Sequence, residues 1–110
     1  MRRGEVWTAA GGPDYAGKPR PVVIIQDNRF DATESITICG LTSQEADAPD
    51  VRALIIPSAG NGLRAPSKLM VDKIATIHKG KLGRRVGRLD DVDIPRLDRA
   101  IMIFLGLAAA

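Results

Sequence analysis

Residues 20–25, which read Arg20-Pro21-Val22-Val23-Ile24-Ile25, are the clearest candidate for a core strand in this chain. After the proline, four consecutive positions are apolar, so both alternating faces of an extended segment would be hydrophobic. A strand of this kind is typical of the interior of a domain, where it is covered on two sides, for example by a packed helix. The stretch therefore predicts a core strand over residues 21–25.

Turn-forming residues divide the rest of the chain into short extended segments. Gly11-Gly12-Pro13-Asp14 begins a loop that is expected to be flexible as far as Lys18, and a polar loop is expected to run through Pro49. Gly40 lies inside an apolar extended segment and is interpreted as a possible β-bulge. The further strands are predicted over residues 5–9, 35–43, 51–56 and 69–77.

The C-terminal segment changes to helical spacing, which predicts an amphipathic helix. Asp91 or Asp93 can cap its first turn, and Pro95 is tolerated there because the amides of the first turn have no partner within the helix. Five strands closed by one helix predict a mainly β fold, a small antiparallel barrel whose open edge the helix could cover. The apolar positions of the predicted helix are Ile94, Leu97, Ile101, Phe104 and Leu105.

Length and composition limit the kind of protein that this chain can be. Its 110 residues are expected to form a single domain over residues 1–110, with a core of aliphatic side chains because only 4% of residues are aromatic. One cysteine, Cys39, and one histidine, His78, allow no disulfide within the chain, no thiolate zinc cluster and no histidine metal site. We therefore expect chemistry without a metal or cofactor.

No signal peptide and no apolar run near the roughly 20 residues of a membrane helix is found, so a cytoplasmic protein is expected.

The basic residues are concentrated in one part of the chain. The net charge is only +3, but eight basic residues between Arg64 and Arg88 are accompanied by a single acid, Asp72. This asymmetry indicates a polyanionic partner, either nucleic acid or an acidic polypeptide, although any one of these residues could simply be solvated. The eight are Arg64, Lys68, Lys73, Lys79, Lys81, Arg84, Arg85 and Arg88.

Arg20 is the first candidate for a functional residue. Pro19 and Pro21 restrict the backbone on both sides of it, so its guanidinium is held at a stiffened junction between loop and strand. A guanidinium held in this way can donate two parallel hydrogen bonds to phosphate oxygens. The alternative is a surface cation beside a turn.

Three other residues are weighed against simpler structural roles. Thr42 ends a predicted strand where its hydroxyl becomes accessible, but threonine is also a common strand residue. His78 is the only histidine and the residue type most used as a general acid or base, yet its turn-like surroundings favour a structural role. Asp72 beside Lys73 could be a general base or half of a charge pair, and if it is buried it must be paired.

Several segments together resemble the MazF/PemK family of toxins in their order and spacing, over nearly the whole chain. The resemblance implies a small SH3-like antiparallel barrel of about five to seven strands with a C-terminal helix. It also implies a homodimer and an antitoxin partner that blocks the groove. These segments are Arg3-Gly4-Glu5-Val6-Trp7, residues 20–26, Leu41-Thr42-Ser43, Ser67 with residues 71–77, and Arg88-Leu89-Asp90-Asp91 with Leu105-Gly106-Leu107.

The same resemblance implies an endoribonuclease that cuts single-stranded RNA at short sequences without metal. The 2′-hydroxyl of the RNA would attack the adjacent phosphorus, leaving a 2′,3′-cyclic phosphate and a 5′-hydroxyl. The family's cleavage residues match Arg20, as a cation for the phosphorane, and Thr42, which could steer a proton. Residues expected to bind RNA are Lys18, Ser43, Gln44 and Lys73.

Departures from the family pattern keep two alternatives open. Positions 73, 75 and 78 hold Lys, Ala and His where many relatives have Gln, Arg and Asp. A protein that only binds nucleic acid or antitoxin is one alternative, and a CcdB-like gyrase poison, which shares the barrel, is the other. The end of the chain lacks the aromatic residue of the gyrase poisons. Dimer contacts are expected from Met102, Ile103 or Leu107.

Overall fold

A computed structural model describes residues 1–10, 18–44 and 50–109, which form a seven-stranded antiparallel sheet and one α-helix. The mainly β architecture with a C-terminal helix is therefore confirmed. The turn expected at residues 11–14 and the part of the polar loop at residues 45–49 lie outside the described residues. The elements are β1 (Glu5–Ala9), β2 (Arg20–Ile24), β3 (Ser35–Thr42), β4 (Leu54–Ile55), β5 (Ser67–Leu69), β6 (Ala75–His78), β7 (Leu82–Arg88) and α1 (Ile94–Phe104).

The sheet curls into a half-barrel in the order β4-β5-β3-β2-β1-β7, and β6 also pairs with β3. Ile38 of β3 pairs with both Ile24 of β2 and Ala75 of β6, so β2 and β6 occupy opposite edges of β3. Further along that second edge, β5 replaces β6, with Leu41 opposite Leu69. One long strand, β3, thus joins the two parts of the sheet.

A loop links the two ends of the sheet, β4 and β7. The amide of Arg88 in β7 donates to the carbonyl of Gly60 at 2.9 Å, and a Cβ on Gly87 would collide with that same carbonyl oxygen. The loop is held in shape by Asn61, whose fully buried amide oxygen accepts from the backbone amides of Ser58 and Leu63 at 3.0 Å each. The two ends of the half-barrel are therefore joined here by a loop contact instead of a strand pairing.

The core strand β2 is covered on both faces, as its sequence predicts. Val23 belongs to the inner cluster, which includes Leu97 of α1, while Val22 and Ile24 belong to a second cluster on the outer face with Ile36. Fully burying a side chain of this size contributes about 1.5–3 kcal/mol, so three consecutive buried residues anchor β2 firmly.

The single strand predicted over residues 69–77 is wrong. Between Leu69, opposite Leu41, and Ala75, opposite Ile38, the chain has five residues where β3 has only two. The surplus forms a 3-10 turn at Val71–Lys73, whose Val71 is fully buried. The turn moves the chain off the edge of β3, buries Val71 in the core, and returns the chain to the same edge as β6.

Three smaller expectations also need correction. The strand expected over residues 51–56 is reduced to Leu54–Ile55. Gly40 is not a bulge, because it pairs regularly with Val22, and its missing side chain instead makes room for the methyl group of Met70. β7 is missing from the prediction because its sequence, Leu-Gly-Arg-Arg-Val-Gly-Arg, has no apolar alternation.

The helix begins and ends close to its predicted bounds, with Pro95 in the first turn. Asp93 occupies the N-cap position, but its side chain makes no capping hydrogen bond and accepts from Arg96 at 2.8 Å. Arg96 also donates to the carbonyl of Leu54 on the edge strand β4, at 2.8 Å. Phe104 and Leu105, the last two apolar positions of the predicted helix, are exposed.

A largely buried ion pair holds the 3-10 turn. Arg52 donates to both carboxylate oxygens of Asp72, at 2.7 and 2.8 Å, and the two side chains are only 7% and 13% exposed. Hydrogen bonding by Arg52 lowers the pKa of Asp72, although burial acts in the opposite direction. The expectation that Asp72, if buried, must be paired is confirmed, and its partner is Arg52 instead of Lys73.

We expect Arg52→Met to destabilise the fold at neutral pH by about 3–5 kcal/mol, because it leaves a mostly buried carboxylate without its partner. Urea unfolding at pH 7 measures this free energy. The double variant Arg52→Met/Asp72→Leu is the control and should recover most of the loss. A single variant as stable as the wild type would contradict the assigned role.

The same pair gives a pH dependence with a defined sign. Because the pKa of Asp72 is lower in the folded state than in the unfolded chain, its contribution to stability is present above pH of about 4 and is lost as pH falls below that value. The cost of Arg52→Met should therefore shrink in the acid range.

Candidate functional site

A cleft of about 360 Å³ opens at the end of the sheet where β2 begins and β3 ends. Arg20, Thr42 and Lys73 all line it. Two candidate catalytic residues and one candidate RNA-binding residue, separated widely in sequence, therefore meet in one place.

The pairing of β2 with β3 explains why Arg20 and Thr42 meet. The strands are antiparallel, with Val22 opposite Gly40, so continuing the register by two residues brings Arg20 opposite Thr42. Because side chains two residues apart in a strand point to the same face, both residues share the outer face with Val22 and Gly40. Arg20 is also paired with Ala9 of β1, which lines the same cleft.

The hydroxyl of Thr42 has a fixed acceptor role. Its Oγ1 accepts a hydrogen bond from the backbone amide of Gln44 at 3.2 Å. A hydroxyl has one proton to donate and two lone pairs, so this contact leaves the proton available for a ligand in the cleft. Lys68 of β5 lies directly opposite Thr42, and residues in such pairs lie on the same face of the sheet.

The side of the cleft next to β3 is built by the 3-10 turn. Met70, just before the turn, extends its methyl group over Gly40, and Lys73 ends the turn; both line the cleft. Asp72 lies between Met70 and Lys73 in sequence and is bound to Arg52. The buried ion pair therefore fixes the segment that brings Lys73 to the cleft.

The charged side chains that line the cleft in the described part of the chain are all basic. They are Arg20, Lys73 and Lys81, and neither a carboxylate nor a histidine accompanies them. Lys81 reaches this position because its carbonyl accepts from the amide of Ala10, just beyond β1, at 2.9 Å. The cleft is suited to binding a group with negative charge.

The remaining candidates lie outside the lining of the cleft. Lys18, Ser43 and Gln44 are exposed neighbours of Arg20 and Thr42 in sequence, and their proposed contacts with RNA stay predictions. His78 is exposed, and its Nδ1 accepts from the amide of Gly80 at 2.9 Å, which fits the structural role preferred for it.

Two side chains of types that often take part in catalysis, a carboxylate and a thiol, are not available for reaction. The carboxylate of Asp72 is bound on both oxygens by Arg52, which makes it a poor general base. Burial raises the pKa of the Cys39 thiol to about 12, so this side chain is a neutral member of the core at physiological pH.

Sequence reasoning missed Lys81 and Met70 as residues of the cleft. In the sequence, Lys81 is one residue of the basic stretch, and no local pattern distinguishes it from Lys79, which instead binds Asp31 at 3.1 Å. Met70 has no distinguishing signal, because the pattern of residues 69–77 predicts one continuous strand. In both cases the missing signal is the pairing partner on a distant strand.

Two further observations concern the described residues only. Within them, no three His, Cys, Asp or Glu side chains lie together as they would to hold a metal ion. Their helix is too short to cross a membrane.

Comparison with known proteins identifies the family. Residues 2–105 match the family described as PemK-like, MazF-like toxin of type II toxin–antitoxin system. The chain is 51% identical over 108 residues to a probable endoribonuclease MazF of Mycolicibacterium smegmatis, which covers 98% of this chain and 99% of that protein.

Solved structures share the fold. The fold matches the Mycobacterium tuberculosis toxin MazF-mt6 with a TM-score of 0.78 and 27% identity, over 94% of this chain and 98% of that one. It also matches a mycobacterial endoribonuclease in complex with its cognate antitoxin, with a TM-score of 0.81, 21% identity, and coverage of 100% and 99%. The chain therefore belongs to the PemK-like, MazF-like family of toxins of type II toxin–antitoxin systems.

Proposed function

We propose that the cleft between β2 and β3 is the active site of this toxin, an endoribonuclease, and that it cuts single-stranded RNA there without a metal ion. The observation that supports the site most strongly is the presence of Arg20 and Thr42 together on one face of a cleft whose other charged residues are Lys73 and Lys81. The endoribonuclease activity rests on the family and on the 51% identical relative named as a probable endoribonuclease.

The reaction proposed here uses a nucleophile that belongs to the RNA. The 2′-oxygen forms a bond to the neighbouring phosphorus and loses its proton, while the bond from phosphorus to the 5′-oxygen breaks and that oxygen takes up a proton. The products are a 2′,3′-cyclic phosphate and a 5′-hydroxyl. The protein has to bind the strand, stabilise the charge on the pentacoordinate phosphorane, and allow both proton transfers.

Arg20 is proposed to bind the non-bridging oxygens of the scissile phosphate. A guanidinium can donate two parallel hydrogen bonds to such oxygens, and its backbone is restricted by Pro19 and Pro21. Because the charge on these oxygens increases in the phosphorane, a donor already in position stabilises the transition state more than the bound substrate.

Thr42 is proposed to donate its hydroxyl proton to the reacting phosphate or to the attacking hydroxyl. The amide of Gln44 occupies one lone pair of Oγ1, which helps to set the direction of the remaining proton. Lys73 and Lys81 are ammonium groups in the same cleft and are the candidate donors for the leaving 5′-oxygen.

The two alternative functions are less favoured. A gyrase poison and a non-catalytic binding protein would share the barrel, but the 51% identical relative is named as a probable endoribonuclease. Two of the departures from the family pattern, Lys73 and Ala75, line the cleft, and His78 does not. Lys73 and Ala75 are therefore proposed to affect which RNA sequence is preferred.

We also propose that the protein acts in the cytoplasm, that an antitoxin protein inhibits it, and that it forms a homodimer. Membership of a type II toxin family supports the antitoxin. Exposed apolar side chains after and along α1 support the dimer, and Leu107 is 73% exposed. Of the residues expected at the dimer contact, Met102 and Leu107 are exposed and Ile103 is half-buried.

Sedimentation velocity tests the dimer. The wild-type chain should sediment as a dimer at micromolar concentration, and Leu107→Glu should shift it toward the monomer because a charge is buried at the contact. A wild-type monomer, or a dimer insensitive to this change, would argue against the proposed contact.

The active site is tested by variants of its two central residues. With labelled single-stranded RNA, Arg20→Ala should lower kcat about 10²- to 10³-fold, since one donor to the developing charge is lost. Arg20→Lys should lower kcat less than Arg20→Ala does, because it keeps the charge although it loses the paired hydrogen bonds. Thr42→Val should lower kcat about tenfold to hundredfold, since one hydrogen bond to a charged group contributes about 1.5–3 kcal/mol.

Arg29→Ala is the matched control. Arg29 lies beyond the opposite end of β2, is 79% exposed, and pairs with Asp27. This change removes the same charge away from the cleft and should leave kcat near the wild-type value. If Arg20→Ala still folds and cuts RNA at the wild-type rate, the proposed site is wrong.

A further inference from the structure

The fold divides the basic stretch between Arg64 and Arg88 into two groups. Three of its members bind acids from other parts of the chain or from the next turn: Lys79 binds Asp31, Arg85 binds Glu5, and Arg88 binds Asp91, at 3.0–3.1 Å. The other five form no ion pair with an acid in the described part of the chain. They are Arg64, Lys68, Lys73, Lys81 and Arg84.

These five cations gather at the end of the sheet that contains Arg20. Lys73 and Lys81 line the active-site cleft, and Lys68 lies opposite Thr42 in the register. Arg64 and Arg84 line a second, more open cleft of about 540 Å³. No sequence pattern relates Arg64 to Arg84, because they lie 20 residues apart, one near the loop that follows β4 and the other in β7.

The second cleft adjoins the first, and the two share one lining residue. Pro21 lines both clefts, and Pro19 lines the second one. Ala9 lines the first cleft and its neighbour Thr8 lines the second, and successive residues of a strand point to opposite faces of the sheet. The segment from Pro19 to Pro21, with Arg20 in its middle, therefore forms the rim between the two.

We propose that the second cleft binds the sugar–phosphate backbone of the same RNA strand, to one side of the cut, through Arg64 and Arg84. This inference rests on the proposed function, since it takes the first cleft as the place of cutting. An RNA strand whose scissile phosphate is held by Arg20 would cross this rim to reach Arg64 and Arg84.

The chemistry of the second cleft favours a nucleic-acid backbone over a protein segment. Both arginines are exposed, and guanidinium groups match phosphate oxygens in geometry as well as in charge. Val86 is half-buried and is the largest aliphatic side chain in the lining, so a peptide would find little of the apolar surface that anchors protein interfaces. Backbone contacts of this kind fix the path of the strand without reading its sequence.

The experiment measures the binding of RNA that cannot be cut. A single-stranded RNA of about 20 nucleotides, long enough to extend past one cleft, contains a cleaved sequence with a 2′-deoxy nucleotide on the 5′ side of the cut. Two further RNAs keep the cleaved sequence and its scissile phosphate but lack the flanking nucleotides on the 5′ or the 3′ side. Affinities are measured over a range of salt concentrations for the wild type, Arg64→Gln/Arg84→Gln, and the control Arg29→Gln, which loses a cation at the other end of β2.

The double variant should bind the long RNA roughly two- to thirtyfold more weakly at low salt, as expected for two exposed charge pairs. Its plot of log affinity against log salt should be shallower by about 1.4, because each phosphate contact with a single strand contributes about 0.7 to the slope. With one of the shortened RNAs, the double variant and the wild type should bind equally well, and Arg29→Gln should match the wild type with every RNA. The double variant should cut that shortened RNA, with its 2′-hydroxyl restored, at the wild-type kcat.

An unchanged salt slope in the double variant would overturn the inference, and so would an equal loss with both shortened RNAs. If the double variant binds poly-glutamate more weakly than the wild type but binds RNA equally well, the inference is also overturned, and the surface is assigned to an acidic protein. The two proposals can fail separately. If the double variant shows the expected change in salt slope but the wild type cuts no RNA, the proposed active site is refuted and the second cleft is not. If the wild type cuts RNA but the double variant has an unchanged slope, only the second cleft is refuted.

Discussion

The antiparallel register of β2 on β3 is the constraint on which the candidate site depends. Val22 lies opposite Gly40 and Ile24 opposite Ile38, and the buried side chains of β2 on both faces hold this register. A shift of one residue would move Arg20 and Thr42 to different faces and would expose the apolar residues of the core. The packing that stabilises the fold thus also brings the two residues together.

A second constraint is the surplus of residues between β5 and β6. The edge of β3 can pair with only part of this segment, so the remainder forms the turn at Val71–Lys73. The ion pair between Arg52 and Asp72 fixes the turn, and the side chains on either side of Asp72 become part of the cleft. Asp72, which the sequence alone could assign to catalysis, instead shapes the site through its ion pair with Arg52.

The sequence predicts the elements whose residues have a strong local pattern. The apolar run of β2 and the change to helical spacing before α1 are local features, and each is found in the structure. Arg20 begins β2, at the junction of loop and strand that its flanking prolines predict. Features that depend on a distant partner could not be predicted. The break after Leu69, the position of β7, the pairing of Asp72 with Arg52, and the presence of Lys81 in the cleft all require knowledge of which strands are neighbours.

We propose above all that this cleft promotes attack by the 2′-hydroxyl of RNA without a metal ion. The most direct measurement is an analysis of the product ends after the purified protein is incubated with labelled single-stranded RNA in the presence of a chelator. We expect 2′,3′-cyclic phosphate and 5′-hydroxyl ends. Products with 3′-hydroxyl and 5′-phosphate ends, or cutting that occurs only after a divalent metal is added, would contradict it.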